Sequence, residues 1–258
     1  MLDLPEPSTE KLGSSPLTQV TFQLRHEHVT DVSQGRVGVA VHQRVASDAV
    51  LEEQSTQDLT FAPGPTGVQA ITNQAVRGWR LRAKDDSWAS LIMPDFFTVE
   101  TTQYDEWAYF RDRVTSVANA VATEVRPTIE QRIGLRFINE IRHAEVQTIE
   151  DWRRFINPAL LGLIADETLG GAIAAAQQLL QIDGGEGRVV VLRHAAVRSP
   201  ERQPRWIYLL DCDCSIQRGQ GFDVSSALDA AEGLHSLALQ VFQYAITEDF
   251  LRELRGAS

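Results

Sequence analysis

The sequence predicts an α+β fold assembled from two tandem units, each running strand, helix, antiparallel meander, long helix. Three observations carry that expectation. Short runs alternate apolar and polar residues at the two-residue period of a strand. Two longer stretches, 105–125 and 223–254, repeat apolar residues at helical spacing. The order of these runs before residue 130 is repeated after it, although the residues themselves match only loosely. This order resembles the duplicated TATA-binding-protein-like or helix-grip arrangement, and two such units can join their sheets edge to edge into one saddle.

Residues 1–15, rich in Pro, Ser, Glu and Gly, read as a flexible acidic tail. Residues 16–130 form the first α+β half and 131–258 the second, together one pseudo-duplicated domain. In Leu17–Arg25, Val20, Phe22 and Leu24 fall on one face, and Thr21, Gln23 and Arg25 on the other, the pattern of a half-buried strand. Asp31 is placed to cap a helix through Val45, which Gly35 and Gly38 weaken. The polar stretch 47–58 reads as partly loop. Thr66–Thr72, Gly78–Ala83, Trp88–Met93 and Phe96–Thr101 follow as strands, with Asp85-Asp86 as a hairpin turn. A helix from Asp105 to Val125 sets Trp107, Phe110, Val114, Val117 and Val121 on one stripe, read as a core face, and Pro127 ends it.

The second half opens with the strand Ile133–Ile141. Thr148 or Glu150 starts a helix containing Trp152 and Phe155, and Pro158 kinks or restarts it. Gly170–Ile182 is Ala-rich, which favours helix, but its place in the repeat favours strand, and strand is the expectation. Arg188–Val197 and Arg205–Gln217 are strands. Gly184-Gly185-Glu186-Gly187 reads as a hairpin turn, because no Lys-Ser/Thr follows it as in a phosphate-binding loop. Asp223 or Ser226 caps a final helix whose apolar side continues through Leu251 and Leu254.

Charge excludes one class of function. Over 258 residues, 24 Lys and Arg stand against 35 Asp and Glu, a net charge of −11. The parts before and after Ile129 carry −6 and −5, so neither is a basic module suited to duplex nucleic acid. No run of about 18 apolar residues occurs to span a membrane, and residues 1–16 lack a signal-peptide pattern, so a cytoplasmic protein is expected. Cys212 and Cys214 are too few for a disulfide scaffold or a four-thiolate metal site, and no metal or cofactor is expected.

Arg132-Ile133-Gly134-Leu135-Arg136-Phe137-Ile138-Asn139-Glu140-Ile141 is the most distinctive run in the chain. With Gly78-Trp79-Arg80, then Phe96, Val99 and Trp107, then Leu210-Asp211-Cys212-Asp213 and Leu234-His235, it resembles a sporadically distributed bacterial family of similar length and unknown function. The resemblance covers residues 16–250. Cys212 and Cys214 stand where larger apolar residues are expected, and Glu140 where a basic one is. The family brings no established activity or catalytic residue. Its patchy occurrence implies an accessory role, such as phage defence or a toxin-associated gene pair.

Six residues are candidates for ligand or partner contact: Arg132, Arg136, Asn139, Asp211, Asp213 and His235. Asp211 and Asp213 share a strand face, about 7 Å apart, a spacing open to a divalent cation or to salt bridges with Arg132 and Arg136. Asn139 is polar on an apolar face and needs hydrogen-bond partners or a ligand. His235 lies beside the apolar stripe of the last helix. His26-Glu27-His28 ends the first strand, where loop histidines outweigh a metal pair. No catalytic residue is assigned. The leading expectation is a non-enzymatic protein that binds a basic protein or peptide through its sheet face or an edge strand. A small-ligand binder, with a groove between sheet and helices oriented by Arg136 and Asp211, is the alternative. A metal-dependent hydrolase at Asp211 and Asp213 is the third. Homo-oligomers are compatible with each.

Overall fold

The computed structural model describes residues 2–56, 59–64, 67–72 and 76–256. Nine strands form one antiparallel sheet: β1 (Leu17–His26), β2 (Val50–Thr56), β5 (Val76–Arg82), β6 (Trp88–Met93), β7 (Phe96–Thr101), β8 (Ile129–Ile141), β9 (Ala176–Gly185), β10 (Arg188–Arg198) and β11 (Trp206–Gly221). Their order across the sheet is β2-β5-β6-β7-β1-β8-β11-β10-β9. A separate hairpin pairs β3 (Leu59–Gly64) with β4 (Gly67–Thr72); Thr66 lies outside the described residues.

β1 sits at the join, with β7 on one side and β8 on the other, so Phe22 faces Val99 and Leu135 in register. Alternation then sorts the sheet into two faces. Val20, Phe22, Leu24, Ile133, Leu135, Leu210 and Cys212 are buried on one. On that face pack the helices α1 (Gly35–Val45), α2 (Trp107–Glu124) and α4 (Val224–Ala245), α2 lying between the other two. Phe110, Val114, Val117 and Val121 of α2, with Leu234, Leu237 and Val241 of α4, fill the core. The other face carries Arg80, Glu100, Thr21, Arg136, Asp211 and Arg193. No described helix is long and apolar enough to cross a membrane.

Several elements differ from the sequence expectations, each for a physical reason. The polar stretch read as partly loop contains β2, which pairs with β5 through backbone bonds and tolerates Glu52 and Glu53. Asp31 does not cap α1. A 3-10 turn covers Thr30–Ser33, and Asp31 instead accepts a hydrogen bond from the Gln34 amide at 2.9 Å. The segment after Thr148 is a 3-10 turn, Ile149–Arg154, closed by a capping box between Thr148 and Asp151. Pro158 then starts the one-turn α3 (Pro158–Leu161). Strand begins only at Ala176, after a 3-10 turn over Gly170–Ala172. The final helix breaks at Ile246, which bridges to Ile156. Thr247 then caps α5 (Glu248–Arg255) by accepting from Phe250 N at 3.2 Å. Gly184–Gly187, by contrast, is the hairpin turn expected, joining β9 to β10 with Gly185, Glu186 and Gly187 all at positive φ.

The amino-terminal segment, expected as a flexible tail, is seated on the helices. Leu2, Leu4 and Leu12 pack against the core, and Ser14 N donates to Leu254 O at 2.9 Å.

Candidate functional site

The six candidate residues divide between the two sheet faces. Period-two alternation sends Arg132, Arg136, Asp211 and Asp213 to the face away from the helices, and Asn139 to the helix face. On the far face the charges satisfy one another. Arg136 Nε donates to Asp211 Oδ1 at 2.7 Å and its Nη2 to Oδ2 at 2.6 Å, while Arg193 Nη1 reaches Oδ2 at 3.4 Å. The bond to Asp211 raises the Arg136 pKa further. Arg132 lies 3.6 Å from Asp213 and donates to Gln23 at 3.2 Å. Among the described residues, no group of three His, Cys, Asp or Glu side chains is placed to hold a metal ion. Arg136 and Asp211 therefore do not orient anything in a groove between sheet and helices, because the helices lie on the opposite face.

Such a groove exists, and Asn139 and His235 line it. A cavity of about 610 Å³ lies between the start of α2, the middle of α4 and the sheet, under the amino-terminal segment. Phe137, Asn139, Cys212 and Leu17 form its floor. Tyr104 and Trp107 form one wall, and His235, Leu239 and Phe242 the other. Each residue arrives by its element's period: Phe137 and Asn139 are two apart on β8, and His235, Leu239 and Phe242 repeat at helical spacing on α4.

Four rings run continuously around this cavity. The Trp107 indole stacks flat on the His235 imidazole, with centroids 4.3 Å apart and planes within 4°. His235 leans on Phe137 at 6.0 Å, and Phe137 meets Tyr104 edge-on at 6.2 Å. Burial holds the His235 imidazole below its usual pKa, against the opposing pull of Glu232, so it is neutral at pH 7. Burial, together with the Glu106, Glu232 and Asp105 charges, pushes the Tyr104 hydroxyl well up. Asn139 is 5 % exposed and donates from Nδ2 to Leu210 O at 3.3 Å. Cys212 and Cys214 are both free, with Sγ atoms 3.6 Å apart. Bonding to Cys214 and burial raise the Cys212 thiol pKa, which suppresses the reactive thiolate.

The rim is acidic. Asp105, Glu106 and Glu232 stand at the α2–α4 mouth, and the Trp107 indole Nε1 donates to Glu232 Oε2 at 2.7 Å. The amino-terminal segment crosses this mouth. The Gln243 side chain bonds both ways to the Ser8 backbone, accepting from Ser8 N at 3.0 Å and donating to Ser8 O at 2.7 Å. Gln240 Nε2 donates to Pro5 O at 3.2 Å. Lys11 Nζ ends between Asp105, at 2.5 Å, and Glu106, at 3.3 Å. Glu10 pairs with Arg255 at 3.2 Å.

Trp107, assigned by periodicity to the core, is thus a cavity wall. Glu232, Gln240 and Gln243 carry no sequence signal, since single polar residues on a helix read as solvent face, and Tyr104 and Lys11 carry none because they lie outside any periodic element. The remaining histidines do not form a site. His26 is buried with Nδ1 on Glu27 O at 2.7 Å, while His28 is exposed.

No family model matches the chain, and no curated protein matches it. Among solved structures, the S. pombe Pct1 RNA triphosphatase aligns over 93 % of this chain and 85 % of its own. The identity is 8 % and the TM-score 0.11, too low to bear on fold or function.

Proposed function

We propose that the protein is a binding protein whose site is the cavity mouth between α2 and α4, and that it holds there an extended segment of a partner protein bearing a basic side chain. One observation carries this reading: residues 5–11 of the chain already lie across the mouth as a bound peptide would. Gln240 and Gln243 read backbone atoms, which any extended segment offers. Asp105 and Glu106 take an ammonium group, and the rings beneath favour a cation near their faces. The net charge of −11 adds long-range attraction for a basic partner. A cytoplasmic accessory role in a defence or toxin-associated system is consistent with such a partner.

The test is fluorescence anisotropy with a labelled peptide of residues 2–12. In the full chain the tethered segment competes at high effective concentration and masks the site. Lys11→Glu places a like charge beside Asp105 and Glu106 and weakens that competitor. The expected result is binding to K11E about tenfold tighter than to wild type, lost again when Gln240→Ala and Gln243→Ala are added. Equal, weak binding to all three proteins would refute the proposal.

A second reading is favoured by the cavity below the segment. Its volume of about 610 Å³ is that of a small-molecule pocket, and four rings under an acidic rim suit an organic cation. Tetramethylammonium as probe should then raise Tm in wild type but not in Trp107→Leu. The hydrolase reading is not proposed, because Asp211 and Asp213 already face guanidinium groups.

We infer also that the chain is an internal duplication. The strand order supports it: outward from the β1–β8 pair come β7 and β11, then β6 and β10, then β5 and β9. A long helix follows each meander, as in a saddle of the TATA-binding-protein kind.

A further inference from the structure

The two edges of the sheet are guarded differently. β2, at one edge, carries Glu52 and Glu53, paired with Arg82 and Arg77, and charges of this kind discourage another strand from adding. β9, at the other edge, pairs only with β10 among the described residues. Its run Ala176–Ile182 holds no charge and no proline. Leu179 is 62 % exposed on the face shared with Arg193, and Leu180 is 36 % exposed on the helix face. The Gln178 side chain lies beside Gly162. A long, uncharged, leucine-bearing edge presents a row of free backbone groups to a further strand.

We propose that two copies of this chain join through β9, antiparallel and edge to edge, into one continuous sheet. Self-pairing is favoured by the run itself. With a two-fold axis at Leu179, Leu179 meets its own copy, Gln177 meets Gln181, Gln178 meets Leu180 and Ala176 meets Ile182. Each pair lies on one face, as antiparallel partners must, and none brings like charges together. The contact is isologous and closes at two copies, which consumes both free edges and stops further growth. The run Ala176–Ile182 carries none of the acidic charge that repels copies elsewhere, and Asp183, beyond its end, falls opposite Ala175 of the partner subunit and not opposite another acid.

Size-exclusion chromatography with light scattering on the full chain tests this directly, over about two decades of concentration. The expected mass is twice the 28.7 kDa of one chain, falling towards a single chain on dilution. Leu179→Lys, with an unchanged circular dichroism spectrum, is expected to be monomeric throughout. Leu179→Cys places two thiols across the axis and is expected to cross-link with a short bis-maleimide. Glu53→Cys on the guarded edge is expected to stay a single chain. The buried Cys212 and Cys214 do not compete for the reagent. A wild-type protein monomeric at every concentration would overturn the proposal. A dimer that is undiminished in L179K, or whose L179C form does not cross-link, would overturn it equally.

Discussion

Arg136 on β8 holds both carboxylate oxygens of Asp211 on β11, at 2.7 and 2.6 Å, across a diagonal of the sheet. Arg136 stands directly opposite Asp213, and Asp211 opposite Ile138. The fork therefore reaches past its nearest acid to the more buried one.

That choice sets the energetics. The Asp211 side chain is 13 % exposed and Arg136 44 %. Asp211→Asn removes the charge from the buried end and is expected to lower unfolding free energy by about 1–3 kcal/mol. Arg136→Ala should cost less, since Arg193 remains beside Asp211. Asp213→Asn, which breaks only the longer Arg132 contact, should cost up to about 1 kcal/mol. Urea denaturation of the three variants checks the order.

Gly78 explains its place before Trp79. A Cβ there would lie 2.2 Å from Met93 Sδ and 2.5 Å from Ile92 O, the second a backbone atom that cannot turn aside. Gly38 faces the Trp79 ring equally closely, and the indole Nε1 donates to Val32 O at 2.6 Å. Gly78→Ala is expected to destabilise by about 1–3 kcal/mol through overpacking. Thermal unfolding of G78A beside Gly187→Ala, where open space leaves only the strain of positive φ, separates crowding from strain.

What the sequence made legible follows from which interactions are periodic. Val20, Phe22 and Leu24 announced β1, and alternation separated Asp211 and Asp213 from Cys212 and Cys214. Of the two caps the sequence offers, Asp223 and Ser226, it is Asp223 that caps the helix, accepting from Ser226 N at 2.7 Å. β2 was obscured because an edge strand is held by backbone bonds that any side chain permits, Glu52 and Glu53 included. The break at Ile246 was hidden because Leu251 and Leu254 continue the apolar spacing across it. Asn139 and His235 were found as polar residues on apolar faces. A groove between sheet and helices is expected from the layering, but oriented by Arg136 and Asp211; that Asn139 and His235 line it instead is hidden, because its walls come from elements more than 90 residues apart and its roof is bonded through two glutamine side chains. Arg132, Arg136, Asp211 and Asp213 were chosen for their chemistry, which the structure spends on ion pairs.

Stability should fall with acid. His26, His194 and His235 are held below their usual pKa by burial. Each is neutral when folded and gains a proton more readily when unfolded, so its contribution is complete above about pH 6.5. The contribution is lost as pH falls from there through the folded-state value. Glu130, whose carboxyl is raised by burial against the pull of Arg218, runs the other way, taking a proton more readily when folded. Tm is therefore expected to drop by several degrees as pH falls from 7 to 5.5, and to go on falling in stronger acid, where Glu27, Asp85 and Asp151, held below the usual carboxylate range by hydrogen bonds, lose their contribution in turn. His235→Gln should shrink that drop, as scanning calorimetry across this range will measure.

The amino-terminal segment should be held by its polar contacts. In Lys11→Glu, amide hydrogen exchange at Ser8 is expected to quicken by about tenfold, while exchange within β8 stays unchanged. Uniform acceleration through β8 would mean the variant loosens the whole fold instead.

The claim that binding occurs on the helix face, and not on the charged sheet face, is tested most directly by nitrogen–proton NMR of full-length K11E titrated with the residue 2–12 peptide. Shifts are expected at the Trp107 indole Nε1–H and the Gln240 and Gln243 side-chain amides, with the Arg132, Arg136 and Arg193 Nε–H signals unmoved. Shifts at those arginines, with Trp107, Gln240 and Gln243 silent, would contradict it and move the site to the opposite face.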